Sequence, residues 1–172
     1  MNMDLEIIRK TSGGHGSFGV WRDGDIDDLS IIQDSIEDLH GRVIFVGYNA
    51  SGPVEPWRNF HFTHRGGRNH WLADTIGRNP RLRGAYMTDF FKGDYAVREI
   101  DVGVNAETIK KNLAIFRKEI ALFEDDNPVL IAFGHKCHDI LTRLGFEPRY
   151  LPHYASRISR ENFSCKVHEI LK

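Results

Sequence analysis

Three polar residues stand directly after apolar runs in this 172-residue chain. Asn49 follows Arg42-Val43-Ile44-Phe45-Val46-Gly47-Tyr48, Asp89 follows Gly84-Ala85-Tyr86-Met87-Thr88, and His153 follows Tyr150-Leu151-Pro152. An amide can orient a water, a carboxylate can accept from an N–H, and an imidazole can donate to a developing anion. Each residue also has an ordinary reading. Asn49 suits a turn with unusual backbone angles, and Asp89 suits a cap after its strand. What would separate the two readings is where the strands end, because open α/β sheets bind ligands just outside the carboxyl ends of their strands.

The elements that must position these residues are readable from periodicity. Val43 to Gly47 is uncharged, mostly β-branched or aromatic, and predicts a strand buried on both faces. Gly84 to Thr88, Val129 to Gly134 and Tyr150 to Pro152 predict three more. Helices are expected from Asp25 to Leu39, Asn69 to Ile76 with Trp71 and Leu72 inward, Ala106 to Glu124, and Cys137 to Leu144 closed by Gly145. A last helix runs to about Leu171. Leu5-Glu6-Ile7-Ile8 fits either a strand or a helical turn, and Ser12 to Gly19 reads as a loop. Its glycines carry no Lys-Ser/Thr, so it is no phosphate loop. Strands alternating with helices predict an α/β fold, a single domain over residues 1–172. Its centre is a mainly parallel four-stranded sheet with helices on both faces, a three-layer sandwich.

Composition narrows the function. With 41% hydrophobic residues the chain suits one packed core. No apolar run approaches the roughly 20 residues of a membrane span, so a cytoplasmic protein that works away from membranes is expected. Cys137 and Cys165 are too few for an iron–sulfur cluster or a four-cysteine zinc site. His61, His64 and His70 fit no common zinc spacing and have no nearby acid, so neither metal nor cofactor is expected. The net charge of −1 gives no bulk attraction to nucleic acid. Its distribution is uneven. Asp23 to Asp38 holds seven acids and no base, whereas Trp57 to His70 holds Arg58, Arg65 and Arg68 and no acid, and Arg149, Arg157 and Arg160 gather near the last strand.

At Gly47-Tyr48-Asn49-Ala50-Ser51 and Phe60-His61-Phe62-Thr63-His64, with Arg68 and Trp71 a turn later, the chain resembles the uracil-DNA glycosylase superfamily. The mismatch-specific and single-strand-selective enzymes are the nearest branch. Thr88-Asp89 matches the family's middle strand end, and Pro152-His153-Tyr154-Ala155-Ser156 its closing motif. Ala50 replaces the family's proline, Tyr-Ala-Ser its Pro-Ser, and Asp89 its base-reading Asn or Lys. The resemblance covers Arg42 to the C-terminus.

The resemblance implies a monomeric hydrolase of N-glycosidic bonds whose partner is DNA containing a deaminated base. Asn49 would position the water and His153 would stabilise the departing base. Phe62 would stack on the flipped base, Asp89 would read its edge, and Tyr48 and Ala50 would line its pocket. Tyr154, Ser156, Arg157, Ile158 and Arg160 would meet the duplex, with Arg65 and Arg68 on phosphates. The rival is a member of the same fold that binds nucleic acid or a nucleotide without cleaving it.

Overall fold

A computed structural model describes residues 4–50, 52–61, 68–93, 104–123 and 127–172. The chain is α/β, with one mixed sheet of five strands: β1 (Ser17–Phe18), β2 (His40–Asn49), β3 (Ala85–Phe91), β4 (Val129–Phe133) and β5 (Arg149–Leu151). Their spatial order is β1-β3-β2-β4-β5. The four expected strands are parallel to one another. The fifth, β1, corrects the expectation of four. It lies antiparallel on β3, with Ser17 opposite Met87 and Phe18 opposite Tyr86, inside the stretch expected to be a loop. Two residues are too few to show alternation, and a Cβ on Gly16 would stand 2.4 Å from the Tyr86 hydroxyl, so this glycine permits the close pairing.

The helices among the described residues are α1 (Leu5–Ser12), α2 (Ser30–Asp34), α3 (Asn69–Leu72), α4 (Ala106–Ile120), α5 (His135–Arg143) and α6 (Arg160–Ile170). Asp4 caps α1 by accepting from Glu6 and Ile7 N–H, which resolves Leu5–Ile8 as helical. Asn105 caps α4 in the same way through Thr108 N–H.

Three helices differ from expectation, one of them only in length: α4 ends at Ile120, short of Glu124, which lies outside the described residues. Only Ser30–Asp34 of the Asp25–Leu39 stretch is helical, because its acids bind backbone instead. Asp25 accepts from Asp27 N–H and Asp28 from Ser30 N–H, and Arg22 bridges Asp28 and Asp34. After Leu72 the helix widens into a π turn, Ala73–Gly77.

The sheet separates two apolar clusters. Ile8, Ile32, Phe116, Cys137 and Leu141 from α1, α2, α4 and α5 pack with Ile44, Val46 and Phe90 on one face. Leu72, Ile76, Phe163 and Val167 pack with Phe45, Met87, Phe133 and Leu151 on the other.

Candidate active site

Successive strand residues point to opposite faces. β2 therefore sends Phe45, Gly47 and Asn49 toward the cluster of α3 and α6, and Ile44, Val46 and Tyr48 toward the other. β3 places Asp89 on the same side as Met87. Gly47 is level with Asp89, Val46 with Ala132, and Phe133 with Leu151, so the carboxyl ends of β3, β2, β4 and β5 lie side by side. His153, two residues past Leu151, rests its ring on Phe133 with centroids 6.0 Å apart. Asn49, Asp89 and His153 thus lie at one end of the sheet, Asp89 beside Phe60 and His153 on Phe133 on the same face.

Asp89 is the most constrained of the three. Its carboxylate is 3% exposed and lies over the Gly47 backbone, where a Cβ would stand 2.2 Å from Oδ1 and 3.5 Å from the Phe60 ring. Asn59 Nδ2 donates to Asp89 Oδ2 at 2.9 Å and to the His15 carbonyl at 2.9 Å, which uses both amide hydrogens. His15 Nδ1 faces the same Oδ2 at 3.4 Å. Gly93 N–H donates to His15 Nε2 at 3.1 Å, so the neutral ring carries its hydrogen on Nδ1, toward Asp89. No donor among the described residues reaches Oδ1.

His153 has the opposite tautomer. Ala155 N–H donates to its Nδ1 at 3.1 Å, which leaves the neutral ring's hydrogen on Nε2. The ring stacks on Tyr154 at 4.4 Å, and both meet Phe133 edge-on. Burial and the negative charge of Asp89 push the Tyr154 phenol upward, so it stays neutral in the physiological range. Asn49 Nδ2 donates to the Ala50 carbonyl at 2.8 Å. A carbonyl only accepts, so the nitrogen end of the amide is the one at Ala50 and Oδ1 is turned from it.

The remaining expected residues divide. Ala50 is buried beside Asn49, whereas the Tyr48 ring packs on Phe91 at 4.9 Å, on the other face. Arg68 stacks over Trp71 at 4.7 Å and donates from Nη1 to the carbonyls of Ser156 at 2.6 Å and Ile158 at 3.4 Å. It holds the loop after β5. Arg160 pairs with Asp74 at 2.7 Å. Ile158 is packed against the second cluster, and Ser156 and Arg157 are exposed. Phe62 and Arg65 lie outside the described residues.

Sequence reading misses His15 and Asn59, whose signal is weak: one histidine in a glycine-rich stretch and one Asn in a long loop. It also misses the support beneath Asp89. Lys92 Nζ donates to the Asp89 carbonyl and to Thr88 Oγ1, and pairs with Glu119 Oε2 at 2.8 Å. Glu119 Oε1 accepts from Tyr86 at 2.7 Å and Thr88 at 2.9 Å. His61 is buried, stacked on Trp21 at 4.8 Å, and donates from Nε2 to the Phe18 carbonyl. Burial lowers its pKa to about 4.

Among the described residues no group of three or more His, Cys, Asp or Glu is placed to hold a metal ion, and no helix is long and apolar enough to cross a membrane. Comparison with known proteins gave no match: no family model, curated protein or solved structure aligns with this chain.

Proposed function

We propose that the protein hydrolyses the N-glycosidic bond of a deaminated base flipped out of DNA, as a monomer with a uracil-DNA glycosylase-like three-layer sandwich. The observation that supports this reading is that Asn49, Asp89 and His153 all lie at the carboxyl-end side of neighbouring parallel strands. Three polar groups far apart in sequence lie at the same end of one sheet, and this supports the reading.

Cleavage of this bond passes through an oxocarbenium-like sugar and a departing base anion. Asn49 Oδ1 orients a water toward C1′; as an amide it is no strong base, so turnover is slow. The water oxygen bonds to C1′ as the bond to the base nitrogen breaks, and the base leaves with the electron pair. His153, with its hydrogen on Nε2, donates to the acceptor atom of the base where charge collects. A neutral donor suffices and keeps its proton. The water proton passes to solvent. Phe62 is assigned to stack on the base, and exposed Arg157 to the phosphates. No cofactor enters.

Purified protein is incubated with oligonucleotides carrying a single uracil, hypoxanthine or xanthine, then treated with alkali. Strand cleavage at the lesion is expected for at least one base. Oligonucleotides that bind but stay intact would make the protein a non-cleaving member of the fold.

A further inference from the structure

The surroundings of Asp89 define which kind of base the proposed site takes. Asn59 and His15 both address Oδ2, the first at 2.9 Å and the second at 3.4 Å. Two N–H groups thus converge on one oxygen of this side chain. They also fill the acceptor sites of that oxygen, so the oxygen with no donor among the described residues is Oδ1, which lies over Gly47. Neither positioning group is adjustable. Both amide hydrogens of Asn59 are spent, and Gly93 N–H holds the His15 ring with Nδ1 toward Asp89.

We infer, resting on the glycosylase reading, that Asp89 is an acceptor-only specificity residue. Asn59 and His15 are positioning residues that turn the site toward hypoxanthine and away from uracil. Asp89 Oδ1 would accept the N–H of the base and repel any carbonyl beside it. Uracil offers N3–H between two carbonyls. Hypoxanthine offers N1–H between one carbonyl and a C–H, and its N3 is an acceptor for His153 Nε2–H. One repulsion is removed and every hydrogen bond is kept.

The same geometry specifies what Asp89→Asn does. Asn59 and His15 demand an acceptor at the position of Oδ2, so the new amide must present its NH₂ at the position of Oδ1. A donor there suits a carbonyl flanking the base N–H, and uracil has two.

The experiment compares kcat/KM on oligonucleotides with one hypoxanthine or one uracil, each variant being checked by its melting profile. Wild type is expected to prefer hypoxanthine about tenfold, near the low end of what one matched hydrogen bond to a base edge discriminates. Asp89→Asn reverses the ratio. His15→Ala and Asn59→Ala move it toward one, whereas His15→Asn, which keeps an N–H at the Nδ1 position, retains it. A general loss of rate with an unchanged ratio in the His15→Ala and Asn59→Ala proteins would mean they serve only the fold, and the inference falls. Wild type releasing uracil as fast as hypoxanthine overturns it too, while leaving the glycosylase reading intact. Release of neither base, with alkali-labile sites absent from every oligonucleotide, ends both.

Discussion

Gly47 and Asp89 sit level on neighbouring parallel strands, and the carboxylate oxygen of one occupies the place where the other would carry a side chain. A methyl group on Gly47 would meet Asp89 Oδ1 at 2.2 Å, a separation that no Cβ tolerates. Gly47→Ala must therefore push Asp89 off Asn59 and His15. Overpacking of this kind costs about 1–3 kcal/mol. We expect the variant to fold with a lower melting temperature and to lose base release more than DNA affinity. Urea unfolding together with single-turnover kinetics checks both halves. Unchanged kinetics in a destabilised protein would mean that the position of Asp89 is immaterial.

Asn49 and His153 are assigned to opposite sides of the bond that breaks, and their truncation should act on chemistry rather than binding. Asn49→Ala is expected to lower kcat by about 10²–10⁴, the range of a misplaced proton-handling or water-orienting group. His153→Ala should cost about 10²–10³, as for one lost donor to a developing anion. Fluorescence anisotropy with lesion DNA should give dissociation constants within a few-fold of wild type. An Asn49→Ala enzyme of undiminished rate would mean that the water is held elsewhere.

Arg68 and Arg157 are equal candidates for phosphates by charge, and their surroundings separate them. Arg68 spends its guanidinium on Trp71 and on the carbonyls of Ser156 and Ile158, while Arg157 is exposed in the loop thus held. Each phosphate contact contributes about 0.9 to the slope of log affinity against log salt. Arg157→Ala should reduce that slope by about one. Arg68→Ala should leave the slope unchanged and instead raise amide exchange across residues 153–159. A reduced slope for Arg68→Ala would put this guanidinium on DNA.

His61 makes the stability of the fold sensitive to acid. Its pKa falls from the ordinary 6.5 to about 4 on folding, through burial against Trp21 and β1, so the folded state keeps it neutral while the unfolded chain protonates it. Stability from this group is complete above pH 6.5 and is lost as pH falls toward 4. At about pH 5 the loss is about 2 kcal/mol, since each tenfold rise in proton activity between those two values favours the unfolded chain by about 1.4 kcal/mol. His61→Gln keeps a donor for the Phe18 carbonyl but cannot titrate. Urea unfolding at neutral pH and about pH 5 should show a smaller acid loss in the variant, and equal losses would remove His61 as the cause.

How much of this was legible follows from range. β2 to β5 announce themselves because a strand buried on both faces is a continuous apolar run, whereas Asn49 and Asp89, expected just past their strands, are the last residue of β2 and an inner residue of β3. β1 is two residues long, and its partner strand begins 67 positions later. The π turn after Leu72 carries no sequence mark, and the acidic stretch before β2 has a helical spacing that Asx hydrogen bonds override. His15 acts on Asp89 across 74 residues, and no local pattern encodes that contact. The Asn59 amide likewise gains its role only when the loop folds back on both.

The buried ion pair under Asp89 supplies a last prediction, one that separates fold from site. Lys92 and Glu119 are almost fully buried, 2.8 Å apart, and no other donor among the described residues is aimed at Glu119 Oε2. Lys92→Met leaves a lone buried carboxylate beside Tyr86, and removing one partner of such a pair costs about 3–5 kcal/mol. Replacing both, as Lys92→Met with Glu119→Leu, removes the unpaired charge but leaves the Tyr86 and Thr88 hydroxyls without their acceptor. The double variant should therefore recover part, not all, of the stability lost by the single one. Because Lys92 also donates to the Asp89 carbonyl, base selectivity should shift in both variants even where stability returns. A double-mutant cycle on urea unfolding measures the first effect and the hypoxanthine-to-uracil ratio measures the second. A ratio identical to wild type in the double variant would show that Asp89 is positioned by Asn59 and His15 alone.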